Sequence, residues 1–200
     1  MAKLVQMLGN IKMTATIMAL VMVAIIGSII AVSGSIYFSL RAQSLANSEL
    51  EQNANLGIAA TILERRISGS VLNWTEEGTI ASFQSWAIPP FYNDETINSV
   101  TRVTRQDATI YELKPETKVL FSKTSSLRDA KGEPATNIDL KPGHPIYTKL
   151  LANEPYIGPV ELQGVTYFGA FQPVVKLNGD VMGAIFVGTP QAAVEAAAND

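Results

Sequence analysis

A chain of 200 residues, 47% hydrophobic and 16% charged, with one histidine and no cysteine, has room for one ordinary domain and an appendage. It excludes a disulfide framework, a thiol nucleophile and a thiolate metal site. A net charge of −3 argues against nucleic acid as the main partner.

The appendage comes first. From Met13 to Leu40 there is no charged residue, and the ~20 apolar residues that cross a bilayer fit inside this stretch with room to tilt. A signal peptide has an apolar core of only about 7 to 15 residues and a small-residue cleavage site, so residues 13–40 read as a retained transmembrane helix. Lys3 and Lys12 precede it, which places residues 1–12 in the cytoplasm, although Arg41 directly follows. Residues 41–200, which hold all 18 acidic residues, are then extracytoplasmic and net acidic.

Residues 41–72 contain no proline, and Leu56, Ala60, Leu63, Ile67 and Val71 recur at helical spacing. The membrane helix is therefore expected to continue as one long helix with a polar first half and an apolar second half. Ile58 and Ile62 widen the apolar face beyond a coiled-coil seam, so that half is expected to cover a sheet. Residues 73–99, with Trp74, Trp86, Pro89, Pro90 and Tyr92, read only as a mixed segment of short helix and loops.

Five strand-like runs follow: 108–113, 118–125, YIGPVEL (156–162), VTYFGAFQPVVKL (165–177) and DVMGAIFVG (180–188). Residues 126–145 are rich in turn formers and read as a long loop. HPIYTKLLANEPY (144–156) offers a short helix, with Ile146, Leu150 and Leu151 on one side, that ends before Pro155. The fold class is thus α+β, a long helix packed on an antiparallel sheet of five to six strands. Thr189 and Pro190 suit the start of a C-terminal helix over 189–200.

Asn178-Gly179 between two apolar runs predicts a tight two-residue hairpin. In that register Phe171 faces Phe186, Val174 faces Gly183, Val175 faces Met182 and Leu177 faces Asp180. Both faces of the hairpin are mostly apolar, so each must be covered. Gly183 fits either a packing or bulge glycine or the close approach of a ligand.

Catalysis has little to stand on. His144 would have to build a triad or a metal site alone, and no GxSxG, HExxH or phosphate-loop motif occurs. No catalytic residue, metal or cofactor is expected, and the chain reads as a non-enzyme. A binding pocket has better support. Arg102, Arg105, Lys114, Lys118, Lys123, Arg128 and Lys131 outnumber Asp107, Glu112, Glu116 and Asp129 between 102 and 131, a local positive field that would draw a small anion. Lys123 with Ser125 places hydroxyls beside an ammonium at a strand end, a donor set for an anion or else a solvated strand end. Tyr111, Tyr147, Tyr156 and Tyr167 each offer an apolar body and a polar tip for a pocket, or a partly buried core. Asn73-Trp74-Thr75 matches a glycosylation acceptor, a pattern short enough to arise by chance.

The run Tyr147…Glu154-x-Tyr156-x-Gly158, Gly164-x-x-Tyr167, Gln172-Pro173, Gly179, Gly183 and Val187-Gly188 resembles the single Cache domain. That is the PAS-like extracytoplasmic sensor module of bacterial methyl-accepting chemotaxis proteins and related kinases. The resemblance covers roughly residues 45–188 and hardly touches 73–100. It implies a long helix along an antiparallel sheet, with small molecules, often carboxylates, bound between the sheet and its loops. It also implies a second membrane helix leading to signalling domains; the sequence stops at Asp200, before such a span, as the sensory part of a longer receptor or as a short form would. Carried over, the basic position after the second strand is Lys123, where relatives have arginine followed by Ser-Thr-Asn. Lys-Thr-Ser-Ser departs from that pattern and lacks the bidentate fork.

These readings lead to an anchored sensor of the bacterial inner membrane with a periplasmic domain. It binds a small, carboxylate-like solute through Lys123, Ser125, Tyr111, Tyr147, Tyr156, Tyr167 and Arg105, pairs as a homodimer through the long helix, and signals across the membrane. The alternatives are an anchored structural or assembly protein that binds a protein partner, and the sensor region of a histidine kinase or diguanylate cyclase.

Overall fold

The computed structural model describes residues 2–129, 131–136 and 138–192. The chain divides into two units, 1–47 and 48–200. Helix α1, Ala2–Arg66, supplies the whole of the first. Its segment Leu20–Ser39 has a mean hydropathy of 2.2 over 20 residues, none of it buried, which is long and apolar enough to cross a membrane.

In the second unit α1 ends six residues short of the expected 72. Gly69 has φ +79°, a left-handed conformation that stops a helix and that glycine adopts without penalty. Val71, expected in the helical stripe, instead opens strand β1, Val71–Trp74. The Glu64 carboxylate accepts from the Leu72 N–H at 2.8 Å and ties the helix end to that strand. β1 forms a hairpin with β2, Ile80–Gln84, and α2, Glu95–Thr104, follows. Residues 73–99 thus hold a strand pair and a helix start that periodicity did not resolve, because both strands are only four and five residues long.

The expected five strands are present as β3 Asp107–Lys114, β4 Val119–Ser125, β5 Tyr156–Leu162, β6 Val165–Val175 and β7 Val181–Pro190. Helix α3, Pro145–Leu151, precedes β5. With β1 and β2 the sheet has seven strands in the order β1-β2-β6-β7-β3-β4, and β5 also pairs with β6. β6 is long enough to share one edge: β5 takes Val165–Phe171 and β2 takes Val174 and Val175. The β2–β6 pair is parallel, which corrects the expectation of a purely antiparallel sheet of five or six strands.

The hairpin at 177–188 keeps the expected partners Phe171↔Phe186 and Val174↔Gly183, then shifts so that Val175 pairs with Val181 rather than Met182. Lys176 N–H bonds to Asp180 O, Gly179 N–H bonds to Lys176 O, and Gly179 has φ +89°. This is a three-residue loop with glycine at the left-handed position, not the two-residue turn, so Leu177 does not face Asp180. β7 also continues through Thr189 and Pro190, paired with Phe168 and Tyr167. The pairing partner β6 is long enough to hold both residues extended where a helix cap was expected. Helix begins only at Gln191, and residues 193–200 lie outside those described.

Both faces of the sheet are covered, as the apolar hairpin required. Alternation along the strands sends Ile110, Ile185 and Val187 to one core, where α1 contributes Leu56, Ala60 and Leu63, Ile67 follows just past its end, and α2 contributes Ile97 and Val100. Tyr111, Ala184 and Phe186 go to the other. That second core is covered by Leu127, Ile138 and Leu140 from the loop, by Ile146, Tyr147 and Leu150 from α3, and by Val160 and Leu162 from β5.

Candidate functional site

The second core is built from aromatic side chains. Phe171 and Phe186 lie 4.6 Å apart, ring centre to ring centre. Tyr111 stacks on Phe171 at 6.3 Å and Tyr167 meets Phe186 edge-on at 5.9 Å. Room for the Phe186 ring comes from the facing pair Gly169↔Gly188: a Cβ at Gly188 would fall 2.6 Å from its Cζ. The hairpin glycines therefore shape this core.

Tyr111 is fully buried, and among the described residues no group makes a hydrogen bond of good geometry to its hydroxyl. Thr109, whose hydroxyl acts on it, is engaged with Ser125 Oγ at 2.7 Å. Burial first, and then the carboxylate of Asp139, push the Tyr111 hydroxyl well above its ordinary range, so it stays a proton donor. Asp139 is itself held by the Ser122 N–H, which donates to its Oδ1 at 2.9 Å. An unpaired buried hydroxyl is costly and rare in a native core, and this one points among the elements that cover the sheet.

The other tyrosines are satisfied. Tyr147 donates to Lys118 O, Tyr156 to Pro159 O at 2.8 Å and Tyr167 to Arg128 O at 3.3 Å. Burial raises Tyr156, and burial together with the carboxylate of Asp107 pushes Tyr167 up to about 12. All four tyrosines belong to or pack on the second core.

The two cationic candidates lie elsewhere. Lys123 occupies a bulge of β4, between the pairs Ile110↔Thr124 and Tyr111↔Ser122. Its Nζ is ion-paired with Glu112 Oε2 at 3.0 Å. Glu112 alternates with Tyr111 along β3, so the pair sits on the face away from the tyrosines. Arg105 is exposed at the left-handed C-cap of α2, φ +56°. Ser125 is committed to Thr109 and to the Leu127 N–H. Neither cation is therefore placed with the aromatic core, because strand alternation and a helix end separate residues that are close in sequence.

Sequence reasoning paired Phe171 with Phe186 without assigning them to the site, and it missed Asp139. Ile138 and Leu140 flank Asp139 with strand alternation, and Leu120↔Leu140 is a bridge; that apolar-polar-apolar triplet in a turn-rich loop was the available signal. Among the described residues no group of three or more His, Asp or Glu could hold a metal ion.

The order β4-β3-β7-β6-β5 with helix on one face and loop plus α3 on the other is a PAS-like sensor architecture. Residues 90–200 match the family model for Single cache domain 3, more than half of the chain, and the chain belongs to the single Cache family. Searches of curated proteins and of solved structures returned no significant match. Single Cache domains are ligand-binding, non-catalytic sensor modules that detect small molecules outside the cytoplasm in chemoreceptors or kinases, and residues 90–200 match that module.

Proposed function

We propose that the protein is the sensory part of a membrane-bound chemoreceptor of the methyl-accepting type, anchored in a bacterial inner membrane by Leu20–Ser39 with its Cache domain in the periplasm. The ligand enters the second core, between the sheet and its cover of loop and α3. The observation that carries this reading is the Tyr111 hydroxyl, buried and without a well-formed hydrogen bond among the described residues, which a bound solute would satisfy. A donor O–H suits a small solute with an acceptor oxygen, carboxylates among them. Tyr147, Tyr156 and Tyr167 form walls, Ser125 holds the Thr109 hydroxyl next to Tyr111, and Lys123 and Arg105 stay outside the site. Binding acts on the long helix, which passes the change toward the membrane by favouring one of two states. Exposed Leu50 and Ile58 on α1 support pairing of two copies through that helix.

The test is a thermal-shift screen of the full chain in nanodiscs against small carboxylates, amino acids, amines and sugars. A ligand at about 100 times its dissociation constant stabilises the fold by about 2.7 kcal/mol. One class should raise Tm, and Tyr111→Phe should abolish that rise. A folded chain that responds to no class overturns the reading.

One observation favours a second reading, an anchored protein that binds a protein partner. A groove of about 380 Å³ is lined by Gly57, Ile58, Trp74 and Val103, three of which are exposed large apolar residues. A response to no small solute would favour it. The sensor region of a histidine kinase or diguanylate cyclase would share the same inner site with a different output domain.

A further inference from the structure

The loop between β6 and β7 carries chemistry that the sensor reading leaves unused. Asn178 and Gly179 are exposed at its tip, and no other asparagine in the chain precedes a glycine. Glycine has no Cβ to shield its amide nitrogen from the carbonyl carbon of the preceding side chain, and a Cβ at Gly179 would itself meet nothing within 4 Å. Three hydrogen bonds restrain this pair. Asn178 Nδ2 donates to Asp180 Oδ2 at 2.7 Å, and the Asp180 N–H donates to Asn178 Oδ1 at 3.1 Å, so the side-chain amide is clasped to residue 180 in an Asx turn. The Gly179 N–H donates to Lys176 O at 2.9 Å. While the loop is closed, the nitrogen that could attack Asn178 is therefore engaged on the backbone.

We propose that Asn178 is a site of spontaneous deamidation, gated by opening of the β6–β7 hairpin loop. When the loop opens, the Gly179 amide gives its proton to hydroxide and its nitrogen attacks Asn178 Cγ. The N–Cγ bond forms, the Cγ–Nδ2 bond breaks, and Nδ2 leaves as ammonia with a proton taken from water, which returns the hydroxide. Water then opens the five-membered imide: addition at Cγ gives aspartate, and addition at the backbone carbonyl carbon of residue 178 gives isoaspartate. In all, one water is consumed, one ammonia is released and nothing is oxidised. The product keeps the loop open. Aspartate puts a second carboxylate where the Nδ2 donor met Asp180, and like charges so close repel; isoaspartate lengthens the loop backbone by a methylene. Either change removes the clasp on a turn that helps to set the register of β6 on β7. The site goes beyond the sensor reading, since it involves neither Tyr111 nor a ligand.

Ageing of the full chain in nanodiscs at mildly alkaline pH, followed by proteolysis and mass spectrometry, tests it. Conversion should appear at Asn178 before any other asparagine, as a mixture of aspartate and isoaspartate. It should run about tenfold faster in urea, where no closed loop opposes it. Asp180→Ala, at an exposed position, removes one bond of the clasp; it should leave the chain folded and speed conversion about threefold. Asn178→Asp, which makes one product directly, should lower Tm by about 2 °C. Asn178 intact while another asparagine converts, a rate in urea no faster than in the folded chain, or an unchanged or slower rate in folded Asp180→Ala would each overturn the proposal. An Asn178→Asp chain as stable as the parent would overturn the part in which the product loosens the turn.

Discussion

Lys123 Nζ stands 3.0 Å from Glu112 Oε2, and both side chains are largely withdrawn from solvent. This pair neutralises the cation that the sequence singled out as an anion anchor. It also gives Lys123 a structural role that can be measured apart from any ligand.

A pair about a quarter exposed couples by about 0.5–1 kcal/mol, since solvent still screens it. Lys123→Met, Glu112→Gln and the double variant, compared by urea denaturation, should return a coupling of that size. Lys123→Met should leave the ligand response of the folded chain intact. Zero coupling together with a lost ligand response would restore Lys123 as the anchor.

Tyr111 makes the opposite kind of prediction. Removing a buried hydroxyl that has a partner costs about 1 kcal/mol or more, whereas removing one without a partner relieves a desolvation penalty. Tyr111→Phe should therefore leave the unliganded protein as stable as before, or more stable. A loss above about 1 kcal/mol in chemical denaturation would mean that the hydroxyl is already satisfied.

Gly183 is answered by backbone. A Cβ there would collide with Tyr111 O and with Ile88 Cδ1, so β3 and the segment before α2 close over this position and leave no space for a ligand. Gly183→Ala should destabilise the domain by about 2–3 kcal/mol, the cost of overpacking a tight core. An unfolding free energy within about 0.5 kcal/mol of the parent would show that the strands can separate there.

Stability should fall as pH rises through two groups. Asp107 is raised above its ordinary 3.8 mainly by burial, opposed by the Ser126 hydroxyl that donates to it at 3.1 Å and by Arg128. Its folded form therefore holds the proton more tightly than the unfolded chain does. The resulting stabilisation is fully present below 3.8 and is lost as pH climbs through the higher folded value. Asp107→Asn should flatten that part of a Tm–pH profile. Tyr167, pushed up to about 12 from 10, has the same sign, so a further loss should set in above pH 10 and shrink in Tyr167→Phe. A profile that rises with pH across the first window would contradict the assignment for Asp107.

Much of the fold was legible because it rests on local periodicity. Leu56, Ala60, Leu63 and Ile67 announce a helix face by spacing alone, and all four are buried. Continuous apolar runs on β6 and β7 announce a sheet covered on both sides. The helix end was misread because Val71 continues the same spacing past Gly69, and periodicity does not register a left-handed residue. The hairpin turn was misread because Asn-Gly suits both a two-residue and a three-residue loop, and the bulge at Val174 and Val175 that decides between them is a property of the pairing.

The sequence by itself determined the apolar span, the strand set, the family resemblance and the four tyrosines, since each depends on residue type and on neighbours a few positions away. The tertiary structure alone decided which of these meet. Strand alternation set Tyr111 and Lys123 on opposite faces, the bulge in β4 delivered Lys123 to Glu112, and a residue from a distant loop, Asp139, came to lie beside Tyr111. Such pairings depend on register and on long-range closure, so composition and spacing carry no record of them.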